Sequence, residues 1–207
     1  MKLNTSKIDE VDNPTIDLFI ELYENKCHPV VIKNYPLKWE AFNWDLKVIA
    51  EKMGHKGFDK YVDYPINNTE YKGPEGGCYL QDLPLVKSGL QNDYYVPELF
   101  ADAKIQPKKW QWMYWGTAST NTSMHLDTNE SHAWLAPIFG YKYYWIYYKN
   151  KCLHAILSPG DIIYVPKELW HAATNLTSCL SITHNYTRHS HHEQLKSWKS
   201  IKKCFSF

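Results

Sequence analysis

The chain has 207 residues, 44% of them hydrophobic and 15% aromatic, and its 23 basic and 22 acidic side chains leave a net charge of +1. That length and composition allow one substantial buried core without help from disulfides, and charges mixed along the chain argue against broad capture of nucleic acid or anionic membrane. No run approaches the roughly 18–20 apolar residues of a membrane helix, and the N-terminus has no apolar signal segment, so a soluble, intracellular, cytoplasmic protein is expected.

The first third reads as helices with one strand. Asn13 is placed to cap a helix with Pro14 at its first position, and Ile16, Phe19, Ile20 and Tyr23 recur on one face. A strand is predicted at 29–33, then a helix over 44–53, where Leu46, Ile49 and Met53 form the apolar stripe and Gly54 the stop. Between 56 and 108 the pattern weakens to turns at 64–68 and 73–77 and a short strand at 78–81, consistent with a loop over a site. From Trp110 onward short strands follow one another at 110–115, 123–127, 132–138, 141–148, 161–165 and 179–186, the spacing of a sandwich or barrel rather than of βαβ units. A short helix over 193–207 would carry Leu195, Trp198 and Ile201 on one side, and the His189 to His192 run reads as solvated surface. No repeat or linker breaks the chain. One domain is therefore expected over 1–207, with helical and strand support over 1–108, the barrel core over 109–188 and a helix or tail over 189–207.

Cys27, Cys78, Cys152, Cys179 and Cys204 are odd in number and never spaced Cys-x-x-Cys, which points to apolar thiols rather than a disulfide framework or zinc knuckle. Asn-x-Ser/Thr words at Asn4, Asn67, Asn121, Asn175 and Asn185 carry no weight without a secretory signal.

One constellation carries chemistry. In His125-Leu126-Asp127 the two polar side chains are two residues apart, so on a strand both project to one face. His171 follows the run Pro159-Gly160-Asp161 to Val165-Pro166, in which a turn leads into a strand that proline ends. Alone, His-x-Asp is a common strand pairing. Combined with the Gly-Asp, Pro and His spacing, it reads as two imidazoles and a carboxylate on one side of a metal ion, the facial arrangement of Fe(II) oxygenases. Lys142, within an otherwise apolar and aromatic strand, either snorkels to solvent or meets a buried anion.

With those residues the chain resembles the JmjC and cupin-like Fe(II)/2-oxoglutarate dioxygenases from about Pro29 to Tyr186, above all their small hydroxylase branch that includes the asparaginyl hydroxylase of hypoxia-inducible factor. The matching words are Trp115-Gly116, Thr122 to Asp127, Gly140-Tyr141-Lys142, Gly160-Asp161 through Pro166, Trp170-His171 and Ser181 to Tyr186. The resemblance implies a mainly β fold with flanking helices, the double-stranded β-helix or jelly roll. It also implies Fe(II) on His125, Asp127 and His171, with 2-oxoglutarate and O2 as cosubstrates. Lys142 would bind the distal carboxylate of 2-oxoglutarate, with Thr122 and Tyr79 offering hydroxyls and Asn185 supporting the metal-binding end. The segment from Asp127 to Gly140 is longer than in that branch, so no role is assigned to Asn129 or His132.

Hydroxylation of a protein or peptide side chain, with release of succinate and CO2, is the leading functional expectation. A small-molecule or natural-product hydroxylase is the alternative, since little of the chain is clearly dedicated to a long polypeptide. A modified-RNA hydroxylase is disfavoured by the missing basic stripe, and a histone demethylase by the missing reader module. A non-catalytic cupin-like binding module is disfavoured by the complete triad with Lys142. The aromatics are expected to build the core. Oligomeric state, monomer or homodimer, is open.

Overall fold

The computed structural model describes residues 5–53, 78–85, 89–101 and 110–187. Strands β1 (Thr5–Lys7) and β2 (Asp9–Asp12) open the chain, followed by helix α1 (Ile16–Phe19), which runs into a π-helical turn (Ile20–Glu24), and strand β3 (Val30–Lys33). Helix α2 (Leu46–Met53), strand β4 (Tyr79–Pro84) and helix α3 (Glu98–Ala101) precede an eight-strand series. That series is β5 (Gln111–Gly116), β6 (Asn121–His125), β7 (His132–Phe139), β8 (Lys142–Tyr148), β9 (Lys151–Leu157), β10 (Ile162–Val165), β11 (His171–Asn175) and β12 (Cys179–Tyr186).

The eight strands divide between two mainly antiparallel sheets, with β6, β8, β9 and β11 in one and β5, β7, β10 and β12 in the other. The smaller has the order β1-β9-β8-β11-β6 and the larger β2-β3-β10-β7-β12-β5-β4. This is the double-stranded β-helix, a jelly roll that closes two sheets over one interior. Strands β1 and β2 join by parallel pairing, to β9 and β3.

The central strands of the larger sheet are buried on both faces, so β10 and β12 are buried at every position and lack a simple inward–outward alternation. Its outer face carries Trp134, Tyr164 and Tyr186 against Phe19, Trp39 and Phe100. The Phe100 ring stacks on Trp134 with centroids 5.7 Å apart. Its inner face, with Leu135, Ile163 and Val165, meets Ile146, Leu153 and Leu157 of the smaller sheet to fill the barrel. In β8 burial alternates, so Lys142, Tyr144, Ile146 and Tyr148 point inward while Tyr143, Trp145 and Tyr147 face out.

Several elements differ from the sequence expectation. Thr15, not Asn13, caps α1, its Oγ1 accepting from the Leu18 N–H at 3.3 Å. Asn13 instead turns the chain off β2, donating its N–H to Lys33 O. Of the predicted stripe only Phe19 is fully buried, and Ile16 is exposed. Strands β1, β2, β9 and β11 had no clear signal. The β8–β9 hairpin turns on Lys149 and Asn150, both at positive φ, without the glycine that marks such turns, and β11 begins His-Ala-Ala, a poor strand former. Strand β6 ends at His125, two residues before the expected boundary. Helix α2 follows the prediction, with Asp45 Oδ1 accepting from the Val48 N–H at 2.7 Å. Gly54, the turns at 64–68 and 73–77, the histidine run, Cys204 and the predicted helix at 193–207 lie outside the described residues. Among the described residues no helix is long and apolar enough to cross a membrane, and Cys27, Cys78, Cys152 and Cys179 are free thiols.

Two positions give testable consequences. Gly140, in the β7–β8 turn, has φ 73°, and a Cβ there would lie 1.9 Å from Ser178 O. Gly140→Ala should therefore cost about 2–4 kcal/mol, read as a lower denaturant midpoint with an unchanged slope. His184 is buried against Trp134 and bonded to Tyr94 at 2.8 Å, and burial pushes its pKa down to about 3. Below its ordinary value of about 6.5 the unfolded chain gains a proton that the folded chain refuses, so stability falls as pH drops from there toward 3, with a limiting slope of about 1.4 kcal/mol per pH unit. Thermal melts of His184→Gln should show a flatter pH profile over that window than the parent.

Candidate metal centre and anion pocket

His125 ends β6 and His171 begins β11, and the two are direct partners across that ladder. Their rings lie with centroids 4.2 Å apart. Asp127 lies just beyond the strand end, but its backbone stays extended (φ −65°, ψ 145°) as the residue before the 3-10 turn Thr128–Glu130. The two-residue phase from His125 is thus kept after the ladder has stopped. Asp127 Oδ1 is 3.9 Å from Nε2 of both histidines, and one ligand atom from each of the three residues falls within 4.8 Å of the others. These separations exceed a hydrogen bond and suit three donors turned toward one ion.

The histidines are prepared for that task. Nδ1–H of His125 donates to Ser123 O at 2.8 Å and Nδ1–H of His171 to Leu169 O at 2.9 Å. Each ring therefore leaves Nε2 with its lone pair facing Asp127, the tautomer a metal requires. Burial pushes the His171 pKa below the usual histidine range, against the pull of Asp127, which keeps the ring neutral. Asp127 Oδ2 is buried with no hydrogen-bond partner. A buried carboxylate oxygen left without a donor is costly, and a bound cation would remove that cost.

These residues border a cavity, open to solvent, that is also lined by Thr122, Tyr79, Lys142 and Asn185. Lys142 is 1% exposed, on the inward phase of β8. Its Nζ donates to the Tyr79 hydroxyl at 3.4 Å, and that hydroxyl pairs with Thr122 Oγ1 at 2.9 Å. Among the described residues no carboxylate lies within ion-pair distance of Lys142. Tyr79 fits here because Gly116 stands opposite it in the ladder, where a Cβ would come within 2.6 Å of the tyrosine ring. Asn185, inward on β12, donates Nδ2–H to Ser131 Oγ at 2.9 Å. All seven residues singled out in the sequence line this one cavity.

Other sequence words have different uses. Asp161 accepts from Lys33 Nζ and from the N–H and hydroxyl of Ser158, each at 2.8 Å, so the Gly-Asp word anchors the turn that starts β10. Trp115 packs in the outer core. His132 is buried outside the cavity, its Nδ1 accepting from Tyr164 at 2.7 Å, and Asn129 is exposed at φ 60°. The cavity also contains Tyr114, Tyr144 and Thr183, which the sequence reading did not single out. Each is two residues along its strand from Gly116, Lys142 and Asn185 respectively, so the period-two rule applied to those three anchors would have found them.

A double-stranded β-helix with two histidines and one aspartate at an inner strand end is the class that this fold and site define. Residues 141–194 match the JmjC domain family model. The chain is 22% identical, over 91% of its length and 47% of the relative, to Arginine-specific demethylase JMJ22 of Arabidopsis thaliana. It is also 22% identical, over 83% of its length and 59% of the relative, to Bifunctional arginine demethylase and lysyl-hydroxylase psr-1 of Caenorhabditis briggsae. To 2-oxoglutarate and iron-dependent oxygenase JMJD4 of Danio rerio it is 24% identical, over 80% of its length and 48% of the relative. The chain thus spans between about a quarter and three fifths of the curated relatives it first matches.

If His125, Asp127 and His171 act as one ligand set, His171→Ala and Asp127→Ala should each weaken Co(II) binding by at least about 100-fold. Loss of the cobalt visible spectrum at matched concentrations reads this directly, and a variant that binds Co(II) like the parent would remove its residue from the set.

Proposed function

We propose that the chain is an Fe(II)- and 2-oxoglutarate-dependent oxygenase that hydroxylates a protein or peptide side chain. The observation that carries this reading is the pairing, in one cavity, of the His125, Asp127 and His171 donors with a buried ammonium, Lys142, that lacks a carboxylate partner among the described residues. Burying that charge is unfavourable without an anion. A short dicarboxylate satisfies both ends: one carboxylate meets Lys142, Tyr79 and Thr122, and the keto-acid end reaches the metal donors beside Asn185.

Fe(II) bound there, with 2-oxoglutarate and O2, supplies an oxidation coupled to release of succinate and CO2. The protein's part is positional. His125 and His171 present fixed Nε2 lone pairs, Asp127 supplies charge compensation, and the Lys142, Tyr79 and Thr122 group sets the depth and orientation of the cosubstrate. Leu135, Val165 and Ala173 line the rest with apolar surface that excludes water.

A protein substrate is supported by the names of the relatives, which describe arginine demethylases and a lysyl-hydroxylase. The small-hydroxylase branch, with its asparaginyl hydroxylase, is the finer assignment and rests on the sequence words from Trp115-Gly116 to Ser181–Tyr186, Gly140-Tyr141-Lys142 among them. A small-molecule hydroxylase is the second reading, favoured by a concave pocket in which a few polar groups converge among apolar side chains, the make-up of small-ligand sites.

The test is anaerobic loading with Fe(II) and 2-oxoglutarate, then succinate measurement on admitting O2 with candidate peptides and metabolite pools. Succinate together with a product gain of one oxygen is expected. Lys142→Ala should raise the 2-oxoglutarate requirement by at least about 100-fold, since it strips a buried charge partner from the anion, while the Fe(II) requirement changes little. Binding of both ligands without succinate on any pool would return the chain to a cupin-like binding module.

A further inference from the structure

Tyr114 lies in the cavity wall beside Tyr79, with ring centroids 6.2 Å apart. Its hydroxyl is not turned to Lys142. It donates to Asp82 Oδ1 at 2.5 Å, a short charge-assisted bond. Asp82 reaches it through two local irregularities. The β4–β5 ladder is regular at Tyr79 and Leu80, breaks, and resumes at Leu83, so Gln81 and Asp82 together oppose Tyr114 as a bulge. Asp82 itself sits at φ 54°, a left-handed conformation that costs a non-glycine residue roughly 1–3 kcal/mol.

Nothing in the core requires this arrangement. Asp82 is exposed, and among the described residues its one hydrogen bond is to Tyr114. Bulges beside sites re-aim side chains, and here the re-aimed group is an exposed carboxylate that bonds, from outside the cavity, a tyrosine of its wall. Burial and the Asp82 charge both push the Tyr114 pKa up, so the phenol stays a donor.

We propose that Asp82 is a positioning residue: by holding the Tyr114 hydroxyl it fixes that ring as the side wall of the pocket and keeps the phenol from competing for Lys142. The ammonium then keeps donors for the incoming carboxylate, with Tyr79 as its only tyrosine partner among the described residues. Without Asp82 the Tyr114 ring is free to rotate, and its hydroxyl can turn to Lys142 or to Tyr79, narrowing the anion site. This inference rests on 2-oxoglutarate being the ligand of Lys142.

The test is a double-mutant cycle on the full chain. 2-Oxoglutarate is titrated anaerobically into Mn(II)-loaded protein by calorimetry, with Mn(II) affinity and circular dichroism measured on every variant. Asp82→Ala should weaken 2-oxoglutarate binding roughly tenfold, the scale of one hydrogen bond's control, and leave Mn(II) affinity in place. Asp82→Asn, which keeps an acceptor, should recover most of the loss. In a Tyr114→Phe background there is no hydroxyl to hold, so Asp82→Ala should cause no further loss. In turnover assays the effect should fall on KM for 2-oxoglutarate with kcat retained. Equal loss from Asp82→Ala in both backgrounds, or no loss in the parent, overturns the positioning role while the parent still binds 2-oxoglutarate. A parent that binds Mn(II) but no 2-oxoglutarate overturns the functional reading itself.

Discussion

A lysine ammonium held inside an apolar barrel is the constraint around which the site is organised. Lys142 is 1% exposed, and a charge so placed is tolerated only if polar groups and an anion meet it. The local sequence is shaped accordingly. Gly140 allows the β7–β8 turn to pass against Ser178 O, placing Lys142 as the first inward residue of β8. Gly116 leaves room for the Tyr79 ring opposite, and Thr122 completes the hydroxyl pair. Three segments far apart in sequence therefore converge on one positive charge, and each conserves space or donors for it by its own means.

The second constraint is the burial of the larger sheet's central strands on both faces. Because its outer face is covered by Phe19, Trp39 and Phe100, the strand that carries both Thr183 and Asn185, β12, is locked from behind. Side chains on the inner face then have little freedom to shift. The aromatic content of the chain serves this purpose: Trp134, Tyr164 and Tyr186 form the back support of the site without entering it. A binding constellation needs such a rigid setting, since a loose first contact layer loses its geometry.

The sequence made the site legible before the fold. His125 and Asp127 could be grouped because a two-residue spacing puts both on one strand face, and His171 joined them only through the Gly-Asp, Pro and His run that precedes it. Lys142 stood out because a lone charge in an aromatic strand contradicts its surroundings. Tyr114, Tyr144 and Thr183 did not stand out, because tyrosine and threonine are ordinary strand residues and only their phase reveals them. Strands β9 and β11 were hidden for a related reason. A turn on Lys149 and Asn150 lacks glycine, and His-Ala-Ala-Thr-Asn lacks β-branched residues apart from one threonine, so tertiary pairing rather than local preference makes them strands. The helix start was misplaced because Asn13 and Thr15 are both good caps, and the choice was made by the hydrogen bond from Asn13 to Lys33, a contact across the parallel β2–β3 pair.

The ladder between β8 and β11 sets the spacing between the candidate metal donors and the lysine proposed to bind the cosubstrate. His171 pairs with Ile146 and Asn175 pairs with Lys142, so the metal donors and the lysine occupy levels four residues apart on adjacent strands. At strand rise that is roughly 13 Å along the sheet, a span that a lysine side chain plus a five-carbon dicarboxylate is long enough to bridge. A shorter offset would bring Lys142 toward His125 and His171 and set a permanent positive charge against metal binding. A longer one would leave the anion out of reach of the metal donors. The register of these two strands therefore sets the separation of His171 from Lys142, and it is held in turn by the Gly140 turn at one end and, at the other, by the bond from the Tyr147 N–H to Trp170 O, just before the second histidine.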